Sequence, residues 1–205
     1  MNKILLVDCA NKGKGIINKD VNSGLGTRTL VGSGIRARML ERTKKNGVAL
    51  PLLEIAYVSA LLKQQRHSVT YQRVVDDADA QELNRLIVNE DVGQLLFFPS
   101  MVNYKEDLEL ATTIRQAHPS VKLGALGVFA GTRPELFENY FHWVALGETE
   151  ALLVKYSIDE CNGQMGPEPF LEDLDQLPFP DWSVFSKIEF SYRPMLSRKP
   201  FFTML

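Results

Sequence analysis

The chain has 205 residues, 45% hydrophobic and 23% charged, with a formal net charge of -2. This is enough to bury one core of ordinary domain size with an appendage, and the charge supplies no basic face of the kind a nucleic-acid partner requires. The only early apolar run, Ile4 to Val7, is too short for a signal peptide or a membrane span, so a cytoplasmic protein with no membrane partner is expected.

The chain opens with Lys3-Ile4-Leu5-Leu6-Val7-Asp8, a continuous apolar run suited to a strand covered on both faces. Residues 11–47 follow as a long loop, in which six of the fourteen glycines fall between Gly13 and Gly34. Loops of that length in a compact domain are functional or disordered. Pro51 suits the first position of a helix carried by Leu52, Ile55, Ala56, Ser59 and Leu62. A strand is expected at Val69 to Tyr71, then a helix at Leu83 to Ile87, a buried strand at Leu95 to Phe98 and a helix at Leu110 to Ala117.

The stretch Val121 to Glu150 reads as a strand at Val121 to Leu123, a glycine-broken turn, a helix opened by Pro134, a strand at Trp143 to Leu146 and then Gly147-Glu148-Thr149-Glu150. Ala151, Val154 and Ile158 mark a last helix. Five strands alternating with helices predict a doubly wound α/β domain over residues 1–163, a parallel sheet with helices on both faces and right-handed crossovers. Six of the ten prolines lie between Pro167 and Pro200, so residues 164–205 are expected to be an extended proline-rich linker.

Several features have competing readings. Gly124 and Gly127 are either turn glycines or points of close backbone approach to a ligand. Glu148 and Glu150 suit a helix dipole in its first turn, and Asp8 either caps a loop or belongs to a site. His67, His118 and His142 are too separated for ligand spacing and are read as surface or loop-end residues. Cys9 and Cys161 form no CxxC pair and read as buried apolar residues. The basic run Arg36, Arg38, Arg42, Lys44, Lys45 reads as a solvated helix face. Gly32 to Ala37 fits G-x-G-x-x-A without a secure strand before it, which keeps open a nucleotide-binding domain. A ligand-free protein-interaction module is the other alternative.

Asp8, Ala10 and Gly13 have the spacing D-x-A-x-x-G. Cobalamin-binding domains of the methionine-synthase type carry D-x-H-x-x-G after their first strand, the histidine ligating cobalt. The resemblance extends along the chain through Lys3 to Val7, Pro51 to Tyr57, His67 to Val69, Val121 to Gly124, Gly147 to Glu150 and Leu174 to Asp181. In their order and spacing these segments resemble the N-terminal domain of the cobalamin-dependent radical SAM proteins.

The resemblance implies a Rossmann-like, flavodoxin-like fold that binds cobalamin through Asp8, Ala10, Gly13, Ser100, Met101, Val102, Gly124, Ala125, Gly127, Gly147 and Glu148. It implies no catalytic residue and no protein metal ligand. With Ala10 at the histidine position, cobalamin is expected base-off without an imidazole from this loop. The family's radical SAM barrel opens with a C-x-x-x-C-x-x-C motif that would begin about where Leu205 falls, so the resemblance implies a partial chain, not catalytic alone. In the complete protein, many relatives being methyltransferases, it implies a barrel partner with a [4Fe-4S] cluster and S-adenosylmethionine.

Overall fold

The computed structural model describes residues 2–9, 34–36, 39, 48–49, 51–101, 103–186 and 191–192. The strands are β1 (Lys3–Cys9), β2 (Val48–Ala49), β3 (Ser68–Val74), β4 (Val92–Phe97), β5 (Lys122–Ala125), β6 (Trp143–Ala145), β7 (Gly163–Met165) and β8 (Ser191–Tyr192). The described helices are α1 (Leu53–Gln64), α2 (Asp77–Asn89), α3 (Tyr104–Ala117), α4 (Val128–Thr132) and α5 (Thr149–Lys155). Six strands form one parallel sheet in the order β3-β1-β4-β5-β6-β7, while β2 and β8 pair antiparallel in a ribbon of their own.

The apolar run at the start becomes the centre of this sheet because every one of its residues has somewhere to be buried. Ile4 and Leu6 point to the face covered by α1 and α5. Leu5, Val7 and Cys9 point to the face covered by α2, α3 and α4. Alternate burial on two faces is what a strand of period two requires. Asp76 opens α2 through a capping box with Asp79, satisfying backbone donors that the first turn leaves free.

Three expectations are corrected. The sheet has six strands where five were expected; Gly163–Met165 is too short and polar to read as a strand, yet it pairs with β6 in register from Trp143↔Gly163. The segment Gly127 to Thr132, read as a turn, contains α4, whereas Pro134 opens a 3-10 turn, Pro134–Leu136. One hand for all crossovers also fails: β6 to β7 steps in the same direction as β4 to β5, but α5 packs beside α1 on the opposite face from α3. The last crossover has the opposite hand, at a three-residue edge strand where little sheet twist constrains it.

Within the proline-rich segment, Asp181 and Phe185 are docked on the domain. Phe185 is 5% exposed and packs edge-to-face on Tyr71, with ring centroids 5.0 Å apart. Asp181 accepts hydrogen bonds from Ser59 Oγ at 2.6 Å and Lys63 Nζ at 2.5 Å, and its backbone N–H donates to the Ala56 carbonyl at 3.0 Å. Partial burial alone would raise the Asp181 carboxyl, but the hydrogen bonds from Lys63, Ser183 and Ser59 override it and hold the group down at about 2.

Because this pKa lies below the ordinary 3.8, the clamp contributes stability above pH 4 that is lost as the pH falls from about 4 to about 2. Asp181→Asn is expected to lower stability at neutral pH and flatten the acid limb of a stability-against-pH curve. Phe185→Ala is expected to cost about 3 kcal/mol, measured by urea unfolding followed in the far-UV.

Candidate functional site

The carboxyl edge of the sheet gathers the loops that leave β1, β4, β5 and β6, and in α/β sheets the strand-order reversal makes the crevice there. Here the chain steps from β1 out to β3 and then back across β1 to β4, so the reversal lies between β1 and β4. Asp8 and Cys9 end β1 on one side of it; Pro99 to Met101 and Asn103 stand on the other.

Asp8 shares the face of Ile4 and Leu6, opposite Arg73 in the register with β3. Its Oδ2 accepts a hydrogen bond from Tyr71 Oη at 3.1 Å and lies 3.9 Å from Arg73 Nε. Burial, reinforced by the negative Asp8 beside it, pushes the Tyr71 phenol far above its ordinary range, so it stays a donor at every working pH. Among the described residues, Asp8 is thus engaged with β3.

Across the reversal, the Ser100 carbonyl accepts from Asn103 N at 3.0 Å and Tyr104 N at 2.9 Å, turning the chain into α3. Ser100 is 8% exposed, and its Oγ has no hydrogen-bond partner among the described residues. Asn103 is fully buried and its Nδ2 donates to the Cys9 carbonyl at 3.0 Å, tying this loop to the end of β1. Met101 is exposed.

After β5, Gly127 takes φ +96°, and a Cβ there would lie 3.2 Å from both Glu54 carboxylate oxygens. The Gly127 N–H donates to Thr149 Oγ1 at 3.4 Å, and Thr149 Oγ1 in turn donates to Glu54 Oε1 at 3.3 Å. Glycine is needed here because φ is positive and a carboxylate approaches. Gly147, φ +77°, and Glu148 are exposed at the start of α5. Glu150, in the first turn of α5, has its carboxyl raised by burial and then by the neighbouring Glu148.

The edge therefore holds Asp8, Ser100, Met101, Gly127, Gly147 and Glu148. Gly124 and Ala125 do not join them: both are buried inside β5. A Cβ on Gly124 would sit 2.5 Å from Trp143 Cζ2, so the missing side chain makes room for the indole. Ala10, Gly13 and Val102 lie outside the described residues, as do Arg38, Arg42, Lys44, Lys45 and, of the Gly32 to Ala37 segment, Gly32, Ser33 and Ala37; Arg36 is exposed. The three histidines all sit at loop ends. Among the described residues no cluster of histidine, cysteine or acidic side chains could hold a metal ion, and no helix is long and apolar enough to cross a membrane. The two described cysteines are buried, and burial pushes the Cys161 thiol up to about 11.

Sequence reasoning missed Glu54, Tyr71, Arg73, Asn103 and Thr149. Only Asn103 carried a usable signal, an asparagine immediately before a helical period. An open cleft of about 310 Å³ lies elsewhere, at the C-terminal ends of α1 and α5, and includes Leu61, Gln65, Leu153 and Tyr156 in its walls.

No protein-family model matches the chain and no curated protein matches it. The fold defines the class: a doubly wound α/β domain of the Rossmann-like kind with its loops of interest on the carboxyl edge.

Thr149→Val keeps the shape but strands the Gly127 N–H, and is expected to destabilise the domain by about 1 to 3 kcal/mol. Chemical denaturation beside Thr149→Ser, which retains the hydroxyl and should stay near wild type, checks this.

Proposed function

We propose that this chain is a cobalamin-binding domain, the accessory unit of a radical SAM enzyme. One observation carries the reading. The strand-order reversal between β1 and β4 brings the end of β1, from which the D-x-A-x-x-G segment continues, to the same crevice as Ser100, and these are the two loops that the resemblance assigns to the corrin.

The residues described at the crevice fit such a group. Cobalamin is large and amphipathic, so its binding needs apolar breadth with a few fixed polar groups. Ser100 offers a buried hydroxyl with no partner among the described residues, and Met101 an exposed apolar side chain beside it. Gly147 and Glu148 stand exposed further along the edge, where the carboxylate can accept from amide N–H groups. Gly124 and Ala125 take no part, being enclosed by the sheet and Trp143.

Bound cobalamin would supply the cobalt chemistry, in many relatives methyl transfer, while the chain's own residues hold and orient the corrin. Ala10 has no imidazole to offer, so this loop leaves the lower face of cobalt without a histidine ligand. On this reading the cluster, S-adenosylmethionine and choice of substrate belong to a radical SAM barrel acting with this domain.

The test is an absorption titration of the 205-residue chain with hydroxocobalamin, followed by desalting. Retention near one equivalent with a base-off spectrum is expected. Failure of the folded chain to retain corrin, together with retention on a nucleotide column or a stable protein partner, would favour the other two readings. Ala10→His is expected to convert the retained spectrum to a nitrogen-ligated one, visible in the absorption bands and by EPR of the reduced cobalt.

A further inference from the structure

The proline-rich segment has two sides. Leu177, Val184 and Phe185 turn inward and pack against the core cluster beneath α1 and α5. Phe170, Leu174, Phe179 and Trp182 turn outward and are 77%, 67%, 96% and 51% exposed. An apolar residue exposed singly is ordinary, but four large ones within residues 170–182 mark an interaction site. The segment that presents them is held in place by Glu168 on Lys155 and by Asp181 on Ser59 and Lys63, so little ordering is left for a partner to impose.

Charge selects what covers it. Residues 156–186 hold seven acidic residues and no lysine or arginine. Lys155 and Lys63 neutralise Glu168 and Asp181. Glu172, Asp173 and Asp175 are exposed between Phe170 and Phe179, and among the described residues no cation pairs with them. Such a surface repels nucleic acid and a second copy of itself alike, and attracts a cationic one. A complement exists in the same chain. Residues 35–45 carry five cations against one acid, and there Ile35 and Met39 are 86% and 72% exposed beside the exposed Arg36. Because the described residues of both stretches are open to solvent, the two do not cover each other within one chain.

We infer that the outer side of the proline-rich segment is the seat of a second copy of this chain, receiving the basic stretch 35–45 of that copy. In a two-fold dimer each copy gives one surface of each kind, so the contact is made twice. The apolar side chains supply the affinity, and the opposite charges set orientation and exclude the wrong face. The inference goes beyond the cobalamin reading and does not depend on it.

Sedimentation velocity of the full chain tests it. A dimer that forms as concentration rises is expected, its affinity falling at least about tenfold between about 50 mM and about 500 mM salt. Phe179→Ser, at a side chain almost wholly in solvent, is expected to weaken the dimer about tenfold while leaving the unfolding midpoint unchanged. Charge reversal gives the sharpest reading. Glu172→Lys with Asp175→Lys, and separately Arg36→Glu with Arg42→Glu, are each expected to give a monomer. Mixed in equal amounts, the two double variants are expected to form a heterodimer, because both contacts again join opposite charges. A wild-type chain that stays monomeric, a dimer indifferent to the reversals, or a mixture that remains monomeric overturns the inference. So does a monomer that binds an amphipathic leucine-lysine peptide, which would give this surface to a different basic protein. Each of these outcomes leaves the corrin titration, and the reading it tests, untouched.

Discussion

The structure depends on the position of β1, which is hydrogen-bonded along both edges and covered on both faces. A strand so enclosed cannot satisfy the groups at its carboxyl end with water, so side chains must do it. Asn103 takes the Cys9 carbonyl and Tyr71 donates to the Asp8 carboxylate. These contacts reach β1 from opposite sides, one from the loop after β4 and one from β3. They fix the spacing of the crevice, and with it whatever that crevice can hold.

The same constraint explains why the proline-rich segment belongs to the domain. Tyr71 is needed beneath Asp8, and its ring must be covered; Phe185 covers it. Phe185 is delivered by a chain that cannot form regular structure through its prolines and is therefore held by side-chain contacts, chiefly Asp181 on Ser59 and Lys63. A continuous path of packed and hydrogen-bonded groups thus runs from Asp181 and Phe185 through Tyr71 to Asp8. The β2 and β8 pairing adds a second tie, joining the chain just before α1 to Ser191 and Tyr192 further along that segment.

At the other end of the edge, the polar groups are arranged around Glu54. Thr149 bridges its carboxylate to the Gly127 N–H, linking the starts of α1 and α5 with the loop after β5. Glu148 and Glu150 add further acid there, whereas Arg73 lies towards the β3 end.

The class of fold was legible in the sequence because burial on both faces makes β1 and β4 continuous apolar runs, and α1, α2 and α3 carry helical spacing. The loops that face the crevice were legible too, since they follow strands. Short elements were not: β7 has no apolar signature, and α4 is hidden behind glycines. Nor were the partners of the site residues. Asp8 was visible, but Tyr71, Arg73 and Phe185 reach it only through pairing and docking that join residues far apart in the chain. Gly124 was visible as a glycine, but that it faces Trp143 rather than open space depends on the register of β5 with β6. The sequence by itself determined which segments are buried and in what order they alternate, because those follow from local apolar period. Which polar atoms are paired, and which, like Ser100 Oγ, have no partner among the described residues, emerges from the packed elements alone; pairing is a matter of distance and direction between elements, and no local pattern encodes it.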